Sequence, residues 1–153
     1  MLVSLPLAAM LALAGCSDTK NAVGQAHTAA TNAVASARAA VDQARAQLSD
    51  VQRSASDAQS KLDSLSGSAR DSASKAVTDA KDAASQAGGA LDRAKQNAAG
   101  AKQDLASARS KVDAAKAEVQ QAKAHASGAA ADALDKLSQG LQKLSDELNQ
   151  AGS

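Results

Sequence analysis

Small and aliphatic residues recur at every third and fourth position along most of this chain. The series begins at Val34 and runs to Ala126 with a mean spacing of about 3.5 residues, which is the a/d pattern of a heptad repeat. The face between these positions is polar, and charges four residues apart, such as Arg38 and Asp42, can form ion pairs along a helix. The pattern therefore predicts an all-α protein whose long, Ala-rich amphipathic helices form a coiled coil over residues 28–126.

The larger members of this apolar series form what we call the seam. Burying one Leu or Val contributes about 1.5 to 3 kcal/mol, whereas ordering a heptad costs roughly 10 kcal/mol. Since one chain alone has so little apolar area to bury, we predict that the chains associate as a homo-oligomer. The seam comprises Val34, Val41, Leu48, Leu62, Leu91, Leu105, Val112, Val119, Leu134, Leu137, Leu141, Leu144 and Leu148.

Glycine lies beside each change of phase in the pattern. Two consecutive four-residue steps occur near Gly67 and again at Gly88-Gly89, and a further change begins at Ser127-Gly128. Two adjacent glycines cost roughly 2 kcal/mol relative to alanine in a helix, so Gly88-Gly89 is the predicted position of a break. The pattern is compatible with a continuous rod that bends at these points or with a helical hairpin.

The C-terminal segment, residues 130–150, is richer in leucine than the rest of the chain. Its five leucines fall on one helical stripe, and an exposed stripe of this kind is an association site. We therefore predict a short Leu-rich amphipathic helix. It would extend the oligomer, fold back at Gly128 onto an earlier helix, or dock a partner protein.

Composition excludes several classes of function. The chain contains no Phe, Tyr or Trp and has a net charge of +1, so neither a stacking platform nor a basic patch is available for nucleic acid. His27 and His125 have no second ligand at metal-binding spacing. Catalysis needs a concave, rigid pocket, which a rod does not provide. We therefore predict no enzymatic activity, no metal site, no cofactor and no nucleic-acid partner.

The first 16 residues differ from everything that follows. Residues 2–13 are apolar except for Ser4, a length typical of the apolar core of a signal peptide and too short for a membrane-spanning helix, which needs about 20 residues. The run ends at Leu13-Ala14-Gly15-Cys16, and Cys16 is the only cysteine, so an intramolecular disulfide is excluded. We predict a signal peptide at residues 1–15 and a polar lead at 16–27.

The four residues Leu13-Ala14-Gly15-Cys16 resemble the lipobox of bacterial lipoproteins. The resemblance implies cleavage between Gly15 and Cys16, attachment of a diacylglyceryl group to the Cys16 thiol and a further acyl chain on the new amine. Two or three acyl chains anchor a protein stably in a membrane. Ser17 resembles the residue at this position in outer-membrane lipoproteins, since Asp here typically retains Gram-negative lipoproteins in the inner membrane. The implied location is therefore the outer membrane, facing the periplasm.

The lipobox, polar lead and Ala-rich heptads together resemble small outer-membrane lipoproteins of the murein (Braun-type) class. Short runs such as Val41-Asp42-Gln43 and Leu91-Asp92-Arg93-Ala94 are similar to the repeat of that family. The resemblance implies a parallel trimeric coiled coil with a structural role in the cell envelope. The best-known members join peptidoglycan through a terminal Lys, and this sequence ends in Gln150-Ala151-Gly152-Ser153. We therefore expect non-covalent contact with peptidoglycan or with an envelope protein.

Two other functions remain open. The segment Ser72–Ala90 resembles late embryogenesis abundant proteins, which are disordered in water and helical when dried, and this resemblance implies a stress-protective role. Those proteins favour eleven-residue periods, whereas a spacing near 3.5 residues dominates here. The third hypothesis is a helical factor that docks a partner in the periplasm.

Lipid attachment at Cys16 is testable in cells. Metabolic labelling with palmitate should mark the protein, and Cys16→Ala should abolish the label and leave an unprocessed precursor, because the only thiol has been removed. Labelling that persists in Cys16→Ala would show that the lipid is attached elsewhere and would contradict the assignment of the lipobox.

Overall fold

The structure is a computed structural model that describes residues 19–96 and 99–152, and every element within these ranges is helical. The predicted all-α fold class is confirmed. A single 3₁₀ turn, Leu62–Ser64, follows the first helix. The α-helices are α1 (Thr19–Lys61), α2 (Gly67–Lys95), α3 (Ala101–Lys123) and α4 (Gly128–Gly152).

The chain divides into two units at Ala33. The first unit, Met1–Ala33, is helical from Thr19 in its described part. The second unit, Val34–Ser153, contains the remainder of α1 together with α2, α3 and α4. The buried core described below belongs entirely to this second unit.

Successive helices of the second unit run antiparallel, as the side-chain pairs between them show. Between α2 and α3, Lys75 Nζ lies 2.9 Å from Glu118 Oε2, and Arg93 Nη1 lies 3.2 Å from Asp104 Oδ2. From the first pair to the second, the residue number in α2 rises while that in α3 falls, which is the order expected of an antiparallel pair. Hydrogen bonds between α3 and α4 follow the same order.

The helix α1 packs against both α2 and α4, which closes the arrangement. Lys95 Nζ donates to Asp42 Oδ1 at 3.2 Å, which joins α2 to α1. On the other side, a Cβ placed on Gly140 of α4 would lie only 3.3 Å from Val51 Cγ2 of α1. The second unit is therefore a four-helix bundle with up-down-up-down connections.

Alanine is the most frequent residue of the buried core, and leucine supplies most of its large side chains. The helix α2 buries mainly alanines, whereas α4 buries all five of its leucines. The Leu-rich segment folds back at Gly128, which is one of its three predicted roles. Its leucines join the core formed with the preceding helices. The stripe is thus covered within the chain.

The chain reverses direction between α1 and α2, between α2 and α3, and between α3 and α4, so the helical region is not a continuous rod. Each reversal contains one glycine with a positive φ, which L-residues rarely adopt. Their φ angles are +57°, +84° and +57°, at Gly67, Gly100 and Gly128. The first and third reversals lie at phase changes of the heptad pattern, whereas the second was not predicted.

The break predicted at Gly88-Gly89 is wrong, because both glycines lie inside α2. A Cβ placed on Gly88 would lie 3.1 Å from Leu48 Cδ2, which is a tight contact. The missing side chain lets α1 approach α2 closely, and this packing offsets the low helix propensity of glycine. The low helix propensity of glycine favours a break here, but the contact with Leu48, which is distant in sequence, compensates for it.

The antiparallel order also differs from the parallel trimer that the family resemblance implies. Heptad spacing identifies the face of a helix that becomes buried. It does not determine whether the covering helix belongs to the same chain or in which direction that helix runs. Here the same chain supplies the covering helices, so the seam can be buried without a second copy.

The two adjacent glycines give a matched test of this packing. Gly89→Ala should raise the free energy of unfolding by about 1 kcal/mol, because alanine is the better helix former and its Cβ would meet only Arg93 Nη2, at 3.7 Å. Gly88→Ala should gain clearly less, since Leu48 must move to admit the new methyl group. Urea denaturation measures both. Equal effects of the two substitutions would contradict the close packing at Gly88.

Candidate functional site

The residues assigned to lipid attachment and sorting lie outside the described residues. These are Gly15 and Cys16 at the predicted cleavage position and Ser17 after it, together with the predicted leader at residues 1–15. Part of the predicted polar lead, from Thr19, belongs to α1. The lipobox, the cleavage site and the sorting position therefore stay predictions.

The seam residues form the interior of the bundle, with two exceptions. Leu48 is half-buried, and Val34 is 49% exposed. The prediction that Val34 is buried is wrong because α2 ends at Lys95 and α4 ends at Gly152, so little of either helix remains to cover it. The other eleven seam residues are buried.

Little polar chemistry lies inside the described part of the bundle. There, Ser138 and Ser145 are the buried polar residues, and Ser145 Oγ donates to Asp113 Oδ1 at 2.7 Å. The described residues contain no group of three or more His, Cys, Asp or Glu side chains that could hold a metal ion. Within residues 19–96 and 99–152, no helix combines the length and apolar character that crossing a membrane requires. Charged groups instead lie along the outer edges of the helix pairs.

One such charged group joins α2 to α3 near the end of the bundle that contains the first and third reversals. Lys75 Nζ donates to Asp79 Oδ2 at 2.5 Å and to Glu118 Oε2 at 2.9 Å. These hydrogen bonds, the one to Asp79 foremost, raise the pKa of Lys75 above its usual range, and the Lys75 bond lowers the pKa of Asp79. A lysine held protonated in this way is a poor base or nucleophile. Its role in this arrangement is to hold two helices together.

A polar cleft of about 460 Å³ lies beside this lysine and includes Ser72 and His125 in its lining. A second ion pair, Lys123 with Asp135, joins α3 to α4 at the same end of the bundle. The hydrogen bond from Lys123 lowers the pKa of Asp135. Both pairs stabilise the antiparallel order of the helices.

A different cavity lies at the opposite end, where α2 and α4 terminate against α1. Its volume is about 420 Å³, within the range of roughly 300 to 1,000 Å³ typical of small-molecule sites. We call it the end pocket. Five of its residues are aliphatic and four are charged: Val34, Ala37, Val41, Ala94 and Ala151, with Arg38, Asp42, Lys95 and Lys102.

Comparisons with protein-family models, with curated proteins and with solved structures find no match.

The heptad pattern did not predict the end pocket, because an uninterrupted rod has no concave surface. One available signal was Val34, a large apolar residue at the first position of the seam. The sequence also places Arg38 one helical turn from Asp42, which predicts an ion pair between these two residues of α1. Asp42 pairs instead with Lys95 of α2. Such a contact between helices depends on where the chain reverses and cannot be read from spacing along one helix.

The ion pairs of Asp79 with Lys75, within α2, and of Asp135 with Lys123, between α3 and α4, predict an acid-sensitive contribution to stability. Hydrogen bonding lowers the folded-state pKa of Asp79 and Asp135, so their contribution is present above the unfolded pKa of about 3.9 and is lost as the pH falls below it. Melting temperature followed from pH 7 into this acidic range should fall. Asp135→Asn should reduce the fall, because its side chain no longer changes charge.

The matched control is Asp82→Asn, which removes an exposed carboxylate of α2 that makes no ion pair in the described part of the chain. This variant should retain the acid sensitivity of the original protein. If Asp135→Asn and Asp82→Asn behave alike, the Lys123–Asp135 pair makes no measurable contribution.

Proposed function

We propose that this protein is a lipid-anchored, non-enzymatic structural protein of the bacterial cell envelope. In this proposal Cys16 carries the lipid, Ser17 directs the protein to the outer membrane, and the helical bundle extends into the periplasm as a spacer or scaffold. The observation that carries the proposal is the apolar run of residues 2–13 that ends at Leu13-Ala14-Gly15-Cys16. A short apolar run ending in a small-residue approach to one cysteine suits removal of the leader and acylation of the thiol.

The bundle supports a structural role. Its interior is aliphatic, and its charged pairs lie between helices at the surface, where they maintain the order of the elements. Lys75, which would be the obvious candidate for proton transfer in its cleft, is held in the charged form by two carboxylates. Such an arrangement suits a stable spacer that contacts peptidoglycan or another envelope protein non-covalently.

The buried seam changes the expected basis of self-association. The homo-oligomer was predicted because a single helix has too little apolar area to bury. In the bundle, the seam leucines of α4 pack with the apolar residues of the other helices of the same chain. The proposal therefore does not depend on an oligomer, and an oligomer would require a surface other than the buried seam.

The stress-protective alternative draws its support from Ser72–Ala90, which resembles late embryogenesis abundant proteins. This segment lies within α2, and its residues Val77 and Ala84 are completely buried. A segment that contributes to a core of this kind is expected to be helical in water, whereas the alternative requires helix formation on drying. The packing therefore favours the structural role.

Membrane fractionation tests the proposal through its sorting residue. The original protein should separate with the outer membrane, and Ser17→Asp should move most of it to the inner membrane, because Asp at this position resembles the retention signal of Gram-negative lipoproteins. Ser17→Ala is the matched control and should not change the location. Recovery of the original protein in the soluble fraction would contradict the anchor. A circular dichroism spectrum typical of coil in dilute buffer would instead support the stress-protective alternative.

A further inference from the structure

The part of α1 that belongs to the bundle, residues 34–61, contributes less to the core than the other helices do. We call it the arm. Five of its side chains are buried, and none of them is a leucine: Val41, Ala44, Val51, Ala55 and Ala58. The shorter helix α3 buries six side chains, and α2 and α4 bury nine each. Because buried apolar area is the main term that stabilises a packed helix, the arm has the smallest share of this stabilisation.

Side-chain contacts join the other three helices to one another. Between α2 and α3 these contacts include the two ion pairs already described, at Lys75 and at Arg93. Four pairs join α3 to α4, and the steps from one pair to the next are equal on the two helices, so all four fit a single register. The pairs are Lys123 with Asp135, Lys116 with Gln142, Asp113 with Ser145 and Arg109 with Asn149. The helices α2, α3 and α4 are therefore connected independently of the arm.

Two exposed ion pairs connect the arm to α2. Arg45 pairs with Asp92, and Asp42 pairs with Lys95. The four side chains are between 39% and 62% exposed, and ion pairs as exposed as these contribute little to stability. Both pairs therefore select the neighbour of the arm more than they strengthen its attachment.

On its other side the arm faces a carboxylate of α4. Val51 lies against Gly140, where an added Cβ would be 3.3 Å from Val51 Cγ2. Glu147 follows Gly140 by seven residues and so shares its face of α4; because the helices run antiparallel, it is level with Ala44 of the arm. Glu147 Oε2 is buried and accepts no hydrogen bond from the described residues. A buried acceptor without a donor destabilises the packed state, so separation of the arm, which admits water, relieves this cost.

The weak attachment and the unpaired carboxylate point in the same direction. We propose that the arm is releasable: it separates from α2 and α4 as one unit while α2, α3 and α4 stay packed. Release hydrates Glu147 and uncovers the face of α4 that contains Gly140. Segments with few buried contacts open in this way before the whole domain unfolds. All these residues belong to the second unit, so the inference is independent of the lipid anchor and of the envelope location.

Hydrogen exchange measured by mass spectrometry tests the proposal on the full chain carrying Cys16→Ser, which cannot receive a lipid on its thiol. In buffer without denaturant, amide hydrogens in the central turns of the arm should exchange at least about tenfold faster than those of α3 and α4, because release exposes the arm alone. Equal exchange rates in the four helices would overturn the proposal, since the bundle would then open only as a whole. Faster exchange in α4 than in the arm would overturn it as well.

A new ion pair between the arm and α4 should oppose release. Gln47 lies one turn before Val51 on the same face of the arm and is half-buried, so Gln47→Arg brings a guanidinium within reach of Glu147. We expect this variant to slow exchange of the arm about two- to fivefold, the effect of one partly exposed ion pair. Adding Glu147→Gln should remove most of the gain, because the new pair then loses its charge.

The matched control is Gln52→Arg, the same change at an exposed position of the arm about 100° around the helix from Val51. It should leave exchange of the arm unchanged, and circular dichroism melts would show that every variant remains folded. If Gln47→Arg slows the arm no more than Gln52→Arg does, or if the gain survives Glu147→Gln, the arm does not open by leaving α4 and the proposal is overturned.

Discussion

The close approach of helix backbones is the constraint on which this structure depends. Alanine dominates the core, and a methyl group reaches across an interface only if the two helices lie close together, because dispersion attraction decays steeply with distance. Two glycines mark such close approaches, where an added Cβ would lie 3.1 Å from Leu48 Cδ2 and 3.3 Å from Val51 Cγ2. A single seam of this kind buries little area, so each helix gains by having two neighbours. Closing four helices into a bundle satisfies that need within one chain.

The large side chains are distributed in a way that complements the small ones. The leucines of α4 lie in the same core as the alanines of α2, and alternation of large and small residues lets facing helices interdigitate. Charged residues then distinguish among the possible helix neighbours. Lys75 with Glu118 and Lys123 with Asp135 stabilise the observed antiparallel pairs at the surface. Individually such pairs contribute little, but each fits only one register.

The two ends of the bundle differ chemically. Ion pairs occur at both ends, with Arg70 and Asp63 at 2.7 Å near the first reversal and Lys95 and Asp42 at 3.2 Å near the second. The cleft at the end with the first and third reversals is lined largely by polar groups. At the other end, α2 and α4 end beside α1, and five aliphatic residues line the end pocket together with four charged ones. This difference follows from where the helices end and from the residues that their last turns carry.

The sequence by itself determined the helical fold class and the buried face of most of the helices, and it contains the apolar run that ends at Cys16. These are local properties, since helix propensity and a spacing near 3.5 residues act within a few turns of the chain. Only the tertiary structure decided the number of helices, the continuity of α2 through Gly88-Gly89 and the exposure of Val34. Each of these depends on which distant segment packs against a given turn. The same apolar pattern is satisfied by a neighbouring helix of either direction and from either the same or another chain, and the balance between loop closure and non-local packing selects among them.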